Sequence, residues 1–203
     1  MFVHGAWHGG WAFDRVASEL ERRGHVTLAP DLPCDEPGLT VHDYAAVVGP
    51  QPDAVVVGHS LGGLTIPFVP ARVRVFLAAL VACEDTFGAL DPSFGGTERD
   101  RLGRSFWPDV PTARTRLYPD LGEADAAFAI ARLRPQALLS PVPGLPDGAR
   151  ASIVTTRDHS IRPDRQDQLA REVLGVEPLR LDAGHSPFLS HPRELADLLE
   201  SLS

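Results

Sequence analysis

A chain of 203 residues can hold one sizeable hydrophobic core and is too short to suggest two full domains. Its 43% apolar content is that of an ordinary soluble globular protein, and its net charge of −8, from 19 basic and 27 acidic residues, argues against a nucleic-acid or anionic-membrane surface because no basic stripe offsets it locally. No stretch reads as a signal peptide or approaches the ~20 apolar residues of a membrane span, so the cytoplasm is the expected compartment; Cys34 and Cys83 read as free thiols.

In chain order, residues 1–3 predict a very short strand, followed by a glycine-rich loop, His4-Gly5-Ala6-Trp7-His8-Gly9-Gly10, of the kind that lets backbone amides approach a ligand closely. Residues 11–23 set Trp11, Val16 and Leu20 against Glu19, Glu21, Arg22 and Arg23, which predicts an amphipathic helix closed by Gly24. A strand is expected over 25–29, a short helix over 40–48, and a central strand over 54–57, whose apolar run suits a parallel strand buried on both faces.

That strand runs into Gly58-His59-Ser60-Leu61-Gly62, a G-x-S-x-G sequence heading the apolar stretch 61–69. To leave a buried strand and enter a helix at once, the backbone must turn so sharply that glycine is needed on either side of the turning residue. Ser60 is thereby pushed out at the strand's end, facing the amides of the following helix, where developing negative charge is stabilised.

Another strand is expected over 73–80. From residue 84 to 146 the alternation stops: prolines accumulate, a helix is expected over 123–133, and Phe87, Phe94, Phe106, Trp107, Tyr118 and Phe128 appear without strand periodicity. This segment reads as a cap inserted over the strand ends, the alternative being a helical excursion packed on the sheet edge. The pattern resumes with a strand over 151–156, a helix over 164–174, a last strand over 178–181 and a closing amphipathic helix over 193–202. Alternating strands and helices predict a right-handed α/β architecture: a mostly parallel sheet of about six strands flanked by helices, its ligand crevice at the carboxyl ends of the strands.

A serine hydroxyl needs a base to take its proton and a third group to orient that base. Asp158, just past the strand at 151–156, and His185, just past the last strand, fall at the same sheet edge as Ser60. His4, His8, His25, His42, His59, His159 and His191 are rivals to His185, which alone follows a final strand within a glycine-containing turn. For the acid, Asp164, Asp182, Glu84 and Asp85 remain alternatives. The amides of Leu61 and Ala6 are candidates for an oxyanion hole, and Trp7, Phe106, Trp107 and Phe128 for the walls of an apolar acyl pocket. His4 and His8 stand four apart, but no third ligand accompanies them, so neither a metal nor another cofactor is expected.

HGAWHGGW at His4 to Trp11, APDLP at Ala29 to Pro33, GHSLGG at Gly58 to Gly63, RDH at Arg157 to His159 and GHSPFLSHP at Gly184 to Pro192 resemble the α/β-hydrolase superfamily over nearly the whole chain. The resemblance is to the branch of plant methylesterases, hydroxynitrile lyases and bacterial esterase-like relatives, whose cap the stretch 126–138 is also similar to. It implies Ser60 as nucleophile, His185 as base, Asp158 as acid and the amides of Ala6 and Leu61 as oxyanion donors. Lyase members carry threonine and lysine where this chain has Gly5 and Ser186, which argues against cyanohydrin cleavage. Relatives with dehalogenase or epoxide-hydrolase chemistry carry aspartate in place of Ser60. The resemblance also implies that the chain starts at the family's third strand, without the first hairpin. Pro67 and Pro70 shorten the helix after the elbow, and the thinner core leaves room for a homodimer that covers the exposed sheet edge.

The expected activity is hydrolysis of small to medium hydrophobic carboxylic esters, methyl esters among them, by a small-molecule enzyme with neither nucleic-acid nor membrane partners. A ligand-sensing or partner-binding protein with little turnover, and a non-hydrolytic lyase, are the competing readings.

Overall fold

Strand residues alternate between the two faces of a sheet, and in this chain both faces of the central strands are apolar. Phe2, Val57, Val75 and Ile153 bury into one core, while their neighbours Val3, Val56 and Phe76 bury into another. A computed structural model of the chain describes residues 1–90, 95–142 and 144–202.

The elements are β1 (Phe2–Val3), a 3-10 turn (Gly10–Phe13) leading into α1 (Asp14–Arg22), α2 (Val41–Val48), β2 (Gln51–His59), two 3-10 turns (Ser60–Leu64 and Ile66–Phe68) and β3 (Ala71–Leu77). A two-stranded hairpin follows, β4 (Glu98–Arg99) with β5 (Ser105–Phe106), then α3 (Val110–Leu117), α4 (Glu123–Ile130) and β6 (Ala149–Thr155). The chain closes with α5 (Pro163–Gln168) continued by a π turn (Leu169–Val173), β7 (Leu179–Leu181), α6 (Pro187–Ser190) and α7 (Pro192–Glu200).

The main sheet is five strands, all parallel, in the order β1-β2-β3-β6-β7. Phe13, Val16 and Leu20 around α1, Leu117 of α3, Ala126 of α4, Phe188 of α6 and Leu195 of α7 cover one face. Tyr44 and Val48 of α2, Ile66 and Leu169 cover the other. Thr40 and Asp43 open α2 as a reciprocal capping box.

Five strands replace the six expected because residues 25–29 do not join the sheet. They run beside β1 with one backbone bond, Phe2 N–H to Leu28 O at 2.7 Å. A two-residue β1 offers too short a ladder to hold them, and Val26 is left 88% exposed. The helix expected after the elbow is also corrected, to two 3-10 turns. Gln51 is level with Ala71 across β2 and β3, so the eleven residues between His59 and Ala71 must travel back along the whole of β2, roughly 26 Å. An α-helix of that length rises only about 16 Å, whereas 3-10 geometry covers about 22 Å, and Pro67 lacks the donor an α-helix interior requires. The β4–β5 hairpin is a further feature that the sequence pattern did not announce. Of the aromatics assigned to the segment 84–146, Phe94 lies outside the described residues.

The elbow packs backbone against backbone. A Cβ on Gly62 would lie 2.5 Å from Val3 O and 2.8 Å from His4 O, and a main chain cannot move aside as a side-chain end can. Gly62→Ala is therefore expected to lower stability by about 2 kcal/mol, read as a drop in the thermal unfolding midpoint; an unchanged midpoint would show that the elbow and β1 can separate at no cost.

Candidate active site

Because all five strands point the same way, the chain leaves each of them at one edge of the sheet. Ser60 follows β2, the His4–Trp7 loop follows β1, Asp158 follows β6 and His185 follows β7. Ser60 adopts φ 51°, the left-handed region, at a cost of about 1 kcal/mol for a residue with a Cβ. The flanking glycines have ordinary φ values; they are required by close approach, since a Cβ on Gly58 would meet Gly62 O and Ile66 Cγ2 at 2.8 Å. The strain thus sits on the serine itself. Trp7, in the facing loop, is a second non-glycine residue in that region, with φ 64°.

The His185–Asp158 pair is the most strongly determined part of the site. His185 Nδ1 donates to Asp158 Oδ2 at 2.8 Å, with both side chains at most 3% exposed. The same carboxylate oxygen accepts from Thr155 Oγ1 and Gln166 Nε2, each at 2.9 Å. Oδ1 accepts from the amides of Ser160 at 2.7 Å and Ile161 at 3.0 Å. Five donors converge on one buried carboxylate, which is how a buried charge is made tolerable. With its Nδ1 proton so engaged, the neutral His185 ring keeps its lone pair on Nε2. The other carboxylates weighed from sequence lie elsewhere: Asp182 pairs with Arg157, Asp164 with Arg162, Asp85 with Arg165, and Glu84 is exposed.

Ser60 and His185 line one cleft of about 220 Å³, together with Ala6, Trp7 and Leu61. The Ser60 hydroxyl makes no hydrogen bond among the described residues, and the amides of Ala6 and Leu61 donate to no protein acceptor there. Leu80, Leu139 and Leu90 give the cleft an apolar wall. Of the four aromatics expected to line it, Trp7 does. Phe106 does not, because it alternates with Ser105 along β5 and it is Ser105 that faces the cleft. Trp107 packs edge-on behind Trp7, with centroids 5.2 Å apart. Phe128 is 51% exposed because α4 buries Ala126 and Ala129 instead, and its ring meets Trp11 edge-on and lies beneath the Arg132 guanidinium.

Three further histidines are buried beside the site. His59 Nε2 donates to the His185 carbonyl at 2.9 Å, with the two rings 4.7 Å apart. His8 Nδ1 donates to Ala6 O at 2.8 Å, and Tyr118 OH donates to His8 Nε2 at 2.8 Å. His4 Nδ1 donates to Gly5 O, and Leu32 N–H donates to its Nε2, both at 2.9 Å. In His4 and His8 the single lone pair of the neutral ring is therefore already used, which leaves neither poised as a metal ligand. Burial pushes His4 down to about 4 and His8 to about 3, and holds His59 well below the ordinary imidazole value.

The sequence did not single out Thr155, Gln166, Ser160 or Asp120. Asp120 accepts from Gly184 N at 2.7 Å and Ser190 Oγ at 3.0 Å, tying the segment before α4 to the His185 loop. Nothing in spacing marks Gln166, which falls inside an ordinary helix; Thr155 is hidden as a strand residue.

The alpha/beta hydrolase family matches residues 1–198. The chain is 26% identical to methylesterase 18 of Arabidopsis thaliana, an alignment covering 98% of this chain and 94% of that protein. It is 28% identical to probable esterase PIR7A of Oryza sativa subsp. indica, over 98% of this chain and 94% of that one. The crystal structure of polyneuridine aldehyde esterase shares the fold, with a TM-score of 0.78 at 21% identity, covering 99% and 97% of the two chains.

The neutral buried histidines couple stability to pH. An unfolded chain takes up protons near pH 6.5, whereas folded His4 and His8 refuse them until about 4 and 3. Their contribution is complete above 6.5 and is lost as the pH falls below it, at up to about 1.4 kcal/mol per unit for each ring. The unfolding midpoint is expected to fall between pH 7 and pH 5, and less steeply in His8→Gln; equal slopes in the two proteins would contradict this.

Proposed function

Since the chain belongs to the alpha/beta hydrolase family and resembles plant methylesterases and esterases, we propose that it is a cofactor-free serine carboxylesterase with Ser60, His185 and Asp158 as its catalytic triad. The observation that carries this reading is the buried Asp158–His185 pair at the same sheet edge as a serine in the left-handed region. A residue so strained, beside a base so firmly oriented, is what nucleophilic acyl transfer needs.

In the proposed reaction, Ser60 Oγ attacks the ester carbonyl carbon while His185 Nε2 takes its proton. The new C–O bond places a negative charge on the former carbonyl oxygen, which the Ala6 and Leu61 amides stabilise. Asp158 stays ionised, holds the ring's tautomer and balances the imidazolium. Collapse of the tetrahedral species breaks the bond to the alcohol, which leaves with the proton from His185. Water then attacks the acyl-enzyme with His185 again as base, releasing the acid and restoring Ser60. The open Ser60–His185 hydrogen bond is compatible with this sequence, because catalytic contacts in unliganded sites commonly tighten only with substrate.

A cleft of about 220 Å³ with leucine walls suits small to medium hydrophobic acyl groups and methyl esters over long lipids. Residues 84–146 act in this reading as the cap, since they supply Phe87, Leu90 and Leu139 to the cleft.

Ser60→Ala is expected to abolish hydrolysis of a short-chain nitrophenyl ester and labelling by a fluorophosphonate. Asp158→Asn is expected to retain the label site while losing roughly 10⁴ in kcat, the penalty for the wrong tautomer. Unchanged turnover in Ser60→Ala, or tight binding of a small hydrophobic ester with no turnover by the parent protein, would end the esterase reading.

A further inference from the structure

Among the described residues the cleft holds one arginine, which the proposed chemistry does not use. Arg99, on β4, lines the same space as Ser60, and among the described residues no carboxylate lines it. Other arginines on nearby segments are neutralised: Arg104 by Asp100 and Arg134 by Asp35. Arg99 makes one hydrogen bond, from Nη1 to Gly103 O at 2.7 Å, and forms no ion pair among the described residues. Its remaining guanidinium donors therefore have no protein acceptor there.

The hairpin that carries Arg99 is also held in place. Arg99 is level with Ser105 across the β4–β5 hairpin. Ser105 exchanges two backbone bonds with Gln136, each at 2.8 Å, and its carbonyl and hydroxyl accept from Trp7 Nε1 at 3.2 and 3.1 Å. The strand carrying the cation is thus tied to the loop that carries Ala6. An exposed fork of guanidinium donors lining a cleft that holds no carboxylate among the described residues matches the planar, bidentate geometry of a carboxylate. In a protein of net charge −8, such a cation offers an anionic ligand a local attraction inside the cleft.

The geometry points to Arg99 as a specificity-determining residue that recognises a carboxylate at the far end of the acyl chain, so that the preferred substrates are half-esters of dicarboxylic acids with an apolar spacer. This rests on the esterase reading for the ester end and on Arg99 alone for the acid end.

Two substrates of equal chain length separate the ends: methyl hexanoate, and monomethyl adipate, in which a carboxylate replaces the terminal methyl group. At low ionic strength Arg99→Gln is expected to lower kcat/KM for monomethyl adipate about tenfold, the scale of one charge-assisted hydrogen bond near a surface, and to leave methyl hexanoate within about twofold. Arg99→Lys should keep part of the preference, and added salt should erode it in the parent protein. Equal losses on both substrates, or none on either, would overturn the assignment. Calorimetric binding of monomethyl adipate to Ser60→Ala, with and without Arg99→Gln, reads the subsite without turnover. Arg99-dependent binding without hydrolysis by the parent would sink the esterase reading and keep the subsite, whereas binding that ignores Arg99 would sink the subsite whatever the fate of the ester.

Discussion

The elbow at Ser60 exists because two stretches of main chain press on it from either side at distances that admit no side chain. Gly62 lies against the carbonyls of Val3 and His4 at the end of β1, and Gly63 against Leu80 O and Ala79 Cβ beyond the end of β3. Leu80 N–H also donates to Ser60 O at 3.0 Å. Gripped in this way, the serine cannot relax out of its left-handed conformation without separating three strand ends. The cost of about 1 kcal/mol in one residue is small against the burial of the two cores that hold those strands in register.

The same edge shows how a buried charge is accommodated. Asp158 is surrounded by five donors, while three buried rings beside the site, His4, His8 and His59, are kept neutral by burial. If the neighbouring rings were cationic, they would oppose a second positive charge on His185. Their neutrality leaves Asp158 as the charge that an imidazolium at His185 would meet first. At this edge His59 Nδ1 and Ser186 Oγ are buried without a hydrogen-bond partner among the described residues, a cost of about 1–3 kcal/mol for each.

Signals that depend on neighbours in sequence were legible, and signals that depend on neighbours in space were not. The valines at 55–57, the glycines framing Ser60 and the loop glycine before His185 are local patterns, and they located the central strand, the elbow and the last strand end. The strand expected at 25–29 failed because strand formation requires a partner, and β1 is two residues long. The aromatics at 106, 107 and 128 were assigned to the cleft on composition, yet which face each occupies is set by β5 alternation and by the orientation of α4. Gln166 was invisible for a related reason: a polar residue in a helix normally faces water, and only the fold brings its amide to Asp158. Which of the five carboxylates weighed pairs with His185 was distinguishable only once the loops after β6 and β7 were seen side by side.

The short crossover between β2 and β3 changes the electrostatics of the site as well as its outline. A long α-helix starting at Ser60 would direct the positive end of a macrodipole at the cleft. Here the chain must return along β2 in eleven residues and uses two 3-10 turns, so few peptide dipoles align behind the serine. Under the proposed esterase reaction, stabilisation of a developing oxyanion would then fall on the individual amides of Leu61 and Ala6, and their placement depends on the close contact between the elbow and the loop after β1. A Cβ on Gly5 would come within 2.7 Å of Ser60 Cβ, so that contact is already at its steric limit. The glycine at position 5 therefore brings the second amide near the serine, in the place where an aligned helix would otherwise have contributed.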